Sequence, residues 1–197
     1  KNEKDTEALK SYEKAIEINP SAANGHYVIA TLYRKMGEHE KAKTHMQEVT
    51  RLVPNNNLAH MVLAGLYLDD RDMEGMKLEL EAILKNDAKF PGTRVNLALA
   101  NGYQGNFPQA ISHILAADST VQSRGILELA LSWFYELNGE NSESLSRCDK
   151  SIELSDDKIY PVFLKANILL MQSDFNGAIE LVQGSSFIDP VDKEYYL

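Results

Sequence analysis

The sharpest chemical spacing in the chain is Asp70 to Glu81, DRDMEGMKLELE. Asp70, Asp72, Glu74, Gly75 and Glu81 stand at the intervals of a calcium-binding EF-hand loop. Calcium needs such carboxylates to converge on a loop that is not helical. Met76, Leu80 and Ile83 recur at helical spacing, so the register requires helix from Glu74 to Leu84, and Lys77 takes the place of the usual aliphatic residue after the glycine. The segment therefore reads as a solvated acidic turn entering a helix. His26 and His60 are 34 residues apart, an interval that returns along the chain. Equivalent places in stacked helical units lie about 10 Å apart, too far for one metal ion to bridge. The five histidines are read as unclustered, with His26 and His60 packing and His39, His45 and His113 on the surface. Cys148, the single cysteine, has no partner for an internal disulfide and falls on an apolar stripe, as a buried unreactive thiol would. No nucleophile motif, phosphate-cradling glycine loop or Cys/His metal spacing occurs, and Gly102 and Gly105 in ANGYQGN read as a turn between helices. No catalytic, cofactor or metal residue is expected.

The composition suits a folded chain: 197 residues, 44% hydrophobic and 25% charged. The net charge of −9 argues against nucleic acid as a partner. Residues 1–98 carry 14 basic and 15 acidic side chains, whereas residues 99–197 carry 6 and 14, an imbalance read first as a solvated acidic surface and second as a preference for basic partners at the C-terminal half. No run of 18 apolar residues provides a membrane span. The chain opens on Lys1, inside a helical pattern, as a fragment of a longer array would.

The element that must position any of these groups is Ala23 to Asn56. Ile29, Leu32, Tyr33 and Met36 form one helical stripe, Gly37 supplies a left-handed stop, Ala42, Met46, Val49 and Val53 form a second stripe, and Pro54 ends it. The pattern then recurs every 34 residues. A half unit spans 1–22, full units span 23–56, 57–90, 91–124, 125–158 and 159–192, and 193–197 begins another, all within a single array. Small residues recur in the first helix (Ala30, Ala64, Ala98, Ser132, Ala166) and, Met76 apart, in the second (Ala8, Ala42, Ala110, Ser144, Ala178), letting paired helices approach closely. Glu38, Asp72, Asn106, Glu140 and Asp174 open the second helices, with Asp72, Asn106 and Asp174 expected to cap.

These small, aromatic and proline columns at a 34-residue interval resemble the tetratricopeptide repeat; residues 23–56 carry Ile29, Ala30, Tyr33, Gly37, Ala42 and Pro54 in phase. The sequence departs from the pattern at Asn101 (for an aromatic), Arg71 and Ser173 (for the turn glycine), Met76 (for a small residue) and Lys165 (in an apolar column). The resemblance implies an all-α fold, a right-handed superhelical solenoid of antiparallel helix pairs. The carboxylate clamp and the asparagine ladder of some relatives are missing: Tyr27, Thr31, Met61 and Gly65 stand at clamp positions, and only Asn96 fits the ladder column.

In such an array the first helices line a concave wall. The register places Tyr27, Arg34, Met61, Leu68, Leu99, Tyr103, Trp133, Phe163, Asn167 and Met171 on it, basic at the start and apolar later. Trp133 is balanced between wall and packing, and Leu129, Leu137 and Leu170 lean towards packing. The expected function is a non-catalytic scaffold that binds an extended or helical peptide of a protein partner along this groove, anchored near Tyr103, Trp133 and Phe163. The alternatives are a spacer or assembly segment of a larger multi-domain protein, for instance a bacterial export or envelope protein, or a regulatory domain of an enzyme whose catalytic part lies outside these residues. Self-association through exposed terminal repeats is a further expectation.

Overall fold

The computed structural model describes residues 3–117, 124–189 and 193. Among them are eleven α-helices and no strand: α1 (Glu3–Ile18), α2 (Ala23–Met36), α3 (His39–Leu52), α4 (Asn57–Asp69), α5 (Met73–Asn86), α6 (Thr93–Tyr103), α7 (Phe107–Leu115), α8 (Arg124–Leu137), α9 (Asn141–Leu154), α10 (Ile159–Met171) and α11 (Phe175–Gly184). The chain divides into two compact units, Lys1–Ala100 and Asn101–Leu197. The start of a further repeat at 193–197 lies, except for Lys193, outside the described residues.

In the first unit, α2 packs on α3 and α4 on α5, while α1 lies against α2 and α3 against α4. Ala30 and Ala42 meet inside one core cluster with Met46, Val49, Leu63 and Leu66; a second cluster joins Ala64, Met76, Leu80, Ile83 and Leu97. In the second unit, α8 packs on α9 and α10 on α11, with α7 against α8 and α9 against α10. The small residues explain how closely these pairs approach. Ser132 and Ser144 lie fully buried between α8 and α9, and each hydroxyl donates to the other residue's carbonyl, at 2.9 and 2.7 Å. Where α2/α3 and α10/α11 use alanine, this pair buries two hydroxyls and satisfies both.

One turn is repeated five times. Gly37, Arg71, Gly105, Gly139 and Ser173 all have positive φ, between 60° and 80°. Each donates its N–H to the carbonyl three residues back, and the next residue donates to the carbonyl five back, all at 2.8–3.0 Å. This pair of hydrogen bonds satisfies orphan carbonyls of the preceding helix. It forces Arg71 and Ser173 into a conformation that glycine adopts without cost. The caps diverge from expectation: Asp72 and Asp174 accept from the N–H groups of Gly75 and Gly177, both at 2.9 Å, but Asn106 makes no side-chain cap bond. Helix α7 instead begins with a proline in its first turn, where φ is already set. The out-of-place Lys165 is explained by Asp149, which it meets at 2.5 Å.

The candidate interaction face and the polar clasps

Asp70 to Glu81 folds as the register requires. Asp72 caps α5, Asp70 holds the Lys43 ammonium at 2.5 Å, and Glu74 and Glu81 ride on the helix. Its carboxylates face different partners, so they do not converge as a calcium loop demands. Cys148 is fully buried, with Sγ 2.9 Å from the Ser132 hydroxyl, and burial pushes its thiol up, away from the reactive thiolate.

The histidine reading needs correction. His45 is half-buried rather than a surface residue, and it clusters with His26, their Nδ1 atoms 3.0 Å apart. The His26 Nε2–H donates to the Pro20 carbonyl at 3.0 Å, which leaves Nδ1 as acceptor and makes His45 the donor when both rings are neutral. Burial first, then the neighbouring His26, pulls the His45 imidazole below its usual range. One repeat later the same places hold His60 and Glu79: His60 Nδ1 meets Glu79 Oε2 at 2.6 Å and Nε2 meets the Pro54 carbonyl at 2.9 Å. In the second unit the places hold Glu128 and Arg147, joined at 3.1 Å. Each is a polar clasp between the two helices of a repeat. The surface reading of His45 failed because a polar residue beside an apolar stripe need not face water when its 34-residue equivalent faces a partner. The signal was available: His26–His45, His60–Glu79 and Glu128–Arg147 are each 19 residues apart.

The wall residues divide by unit. In the first, Tyr27 packs against the α2/α3 core cluster, and Met61 and Leu68 against the α4/α5 cluster, while Leu99 is half-buried. Arg34 is exposed. In the second unit Tyr103 is 69% exposed, Trp133 46%, Leu137 40% and Met171 69%. Asn167 and Leu170 are exposed too, so Leu137 and Leu170 stand out rather than pack; Phe163 is half-buried against the core of α10 and α11. Trp133 is supported from below. Its ring lies 5.2 Å from that of buried Phe134, and Phe134 fills the space where Gly102 has no side chain.

The column two residues before the left-handed turn shows the change most plainly. It reads Lys35, Asp69, Tyr103, Leu137, Met171. Lys35 pairs with Asp5 at 2.7 Å, and Asp69 lies 4.0 Å from His39. The last three are apolar or aromatic and exposed.

An all-helical chain of paired helices with a recurring left-handed turn defines the α-solenoid class of repeat proteins. The comparisons agree. Residues 1–37 match the TPR repeat model and residues 23–56 the tetratricopeptide repeat model. The family models thus place tetratricopeptide repeats in residues 1–56. Among solved structures it is similar to MamA (TM-score 0.74, 17% identity, covering 85% of this chain and 95% of that one). It is similar also to YrrB, described as a TPR protein with an unusual peptide-binding site (TM-score 0.73, 18% identity, 82% and 84% covered). A curated relative is the tetratricopeptide repeat and J domain-containing co-chaperone DNJ1 of Cryptococcus neoformans, 30% identical over 78 residues. That match covers 40% of this chain and 15% of the co-chaperone's length. Repeats of this family serve in general as protein-interaction scaffolds, and the fold is in general a non-catalytic module. No described helix is long and apolar enough to cross a membrane.

Proposed function

We propose that the chain is a scaffold whose second unit captures a protein partner on the first-helix face bearing Tyr103, Trp133, Leu137, Leu170 and Met171. The observation that carries this reading is the exposure of large apolar side chains at one repeat position, Tyr103, Leu137 and Met171. Large apolar groups left in water mark interfaces, and aromatic residues and methionine are favoured anchors there. The packing of Trp133 over Phe134 and Gly102 supports it further, because an anchor already held in place loses less entropy on binding. Of the residues expected on the wall, Tyr27, Met61, Leu68 and Phe163 serve packing first, while Asn167 joins the second-unit face as an exposed polar contact. The peptide-binding site named for YrrB and the co-chaperone role named for the curated relative are compatible with this reading. In a pull-down, Trp133→Ala and Met171→Ala should each reduce partner capture at unchanged helix content; undiminished capture by both variants would overturn the assignment.

The repeats 23–56 through 159–192, with the half repeat 1–22, are proposed to act as a single array. Calorimetry of the whole chain should then show one unfolding transition, and two well-separated transitions would refute it.

A further inference from the structure

The partner's chemistry can be taken further, on the assumption that the second-unit face is the one used. Tyr103, Leu137 and Met171 each end a first helix: they are the last residues of α6, α8 and α10. The carbonyl end of a helix carries partial negative charge, which a basic residue in the last turn offsets. Helix α2 has Arg34 and Lys35 there; α6, α8 and α10 have no basic residue in the last turn. Glu136 lies in the last turn of α8, and Glu140 and Asp174 open the helices that follow α8 and α10. The basic side chains of the unit are committed or stand elsewhere. Arg147 is held by Glu128 and Glu143, Lys165 by Asp149, and Lys193 donates to the Gln183 carbonyl. Lys150 lies on α9, while Arg124 and Lys158 stand at the N-terminal ends of α8 and α10, about 20 Å along the helix from the rungs. The face thus sets large apolar rungs in a negative field, in the half of the chain with 6 basic and 14 acidic residues.

Rung spacing selects the partner's shape. Helix α8 lies against α10, and packed helices sit about 8–10 Å apart. A helix advances about 10.5 Å in seven residues and returns near the same face. An extended strand advances that far in three residues and then points the opposite way.

We propose that the second-unit face binds a basic amphipathic helix, with one large apolar residue every seven positions seated on Tyr103, Leu137 and Met171, and Lys or Arg flanking them. Trp133, the only tryptophan, reports binding through its emission. The probes are three synthetic helical peptides of three heptads, free of tryptophan: one with leucine every seventh residue flanked by lysine, a twin with glutamate for each lysine, and one with lysine but leucine every fifth residue. The lysine heptad peptide should shift the emission, bind at least tenfold tighter than the other two, and weaken as salt is raised. Leu137→Lys and Met171→Lys should each cost it at least tenfold. Equal binding by the glutamate twin or the five-residue peptide would overturn the proposal. So would the absence of any shift. The broader assignment of the face would survive these failures if a cross-linker at position 137 still captured a cellular partner, and would fall if it did not.

Discussion

Two halves of one repeat pattern handle the same position in opposite ways. In the first unit the column two residues before the left-handed turn is charged and engaged: Lys35 with Asp5, Asp69 near His39. In the second it is Tyr103, Leu137 and Met171, apolar or aromatic and open to water. The turn that follows is the same throughout, with its paired backbone bonds and left-handed residue. The backbone therefore sets a fixed series of display positions, and side-chain chemistry alone decides whether a position is closed by an ion pair or left as an anchor. Exposing an apolar rung forgoes burial free energy, about 25 cal/mol per Å²; replacing it with a charge would be neutral for the fold. That asymmetry makes the second unit the candidate for recognition.

The comparison is broken most strongly at its rungs. Leu137→Asp combined with Met171→Asp should weaken partner binding by about 2 kcal/mol or more, the scale of an interface hot spot. Lys35→Ala combined with Asp69→Ala should leave binding, measured by titration calorimetry, within twofold. If the two pairs had equal effects, the units would not differ in role.

The support beneath the anchor is next. A β-carbon at Gly102 would stand 2.4 Å from Phe134 Cε1, so Gly102→Ala must displace that ring and disturb Trp133 above it. The expected cost is about 1–3 kcal/mol in urea unfolding, with a change in Trp133 emission. In the first unit, the nearest atom to a β-carbon at Gly65 is the flexible end of Arg34, at 3.9 Å. Gly65→Ala should instead stabilise, by up to about 1 kcal/mol, through helix propensity.

The turns give a smaller effect of one sign in both units. Arg71→Gly and Ser173→Gly remove a left-handed strain of about 1–2 kcal/mol but add glycine's unfolded-state entropy. Each should raise stability by about 0.5–1 kcal/mol; a loss would show that the side chain contributes more than the strain.

The smallest effect separates the clasps by pH. The folded state holds His45 below its usual range, so the unfolded chain binds more protons as pH falls through the histidine range. Stability is full above that range, declines as pH drops through 6.5, and levels off below the folded-state value. His45→Glu would give His26 the carboxylate that His60 already has in Glu79. The urea midpoint of this variant should fall less between pH 7 and pH 5 than that of the parent chain.

Much of this architecture was legible in the sequence because it rests on recurrence. Small residues at 30, 64, 98, 132 and 166 had to be buried, and all are. Two features escaped. The clasps join residues 19 apart across a helix pair, whereas a helical stripe relates residues three or four apart. The exposure of Leu137 and Leu170 departs from expectation because apolar side chains on a first helix favour packing on average; only the structure shows that their neighbours leave them uncovered. Arg71 and Ser173 were recognised as departures at the turn, yet the turn holds, since its backbone bonds do not depend on the side chain.

The most direct test is site-specific photo-cross-linking from two equivalent positions, Leu137 in the second unit and Asp69 in the first, with folding verified by circular dichroism. The account predicts a discrete partner cross-linked from position 137 and background labelling from position 69. Equal labelling from both positions, or stronger labelling from 69, would contradict it.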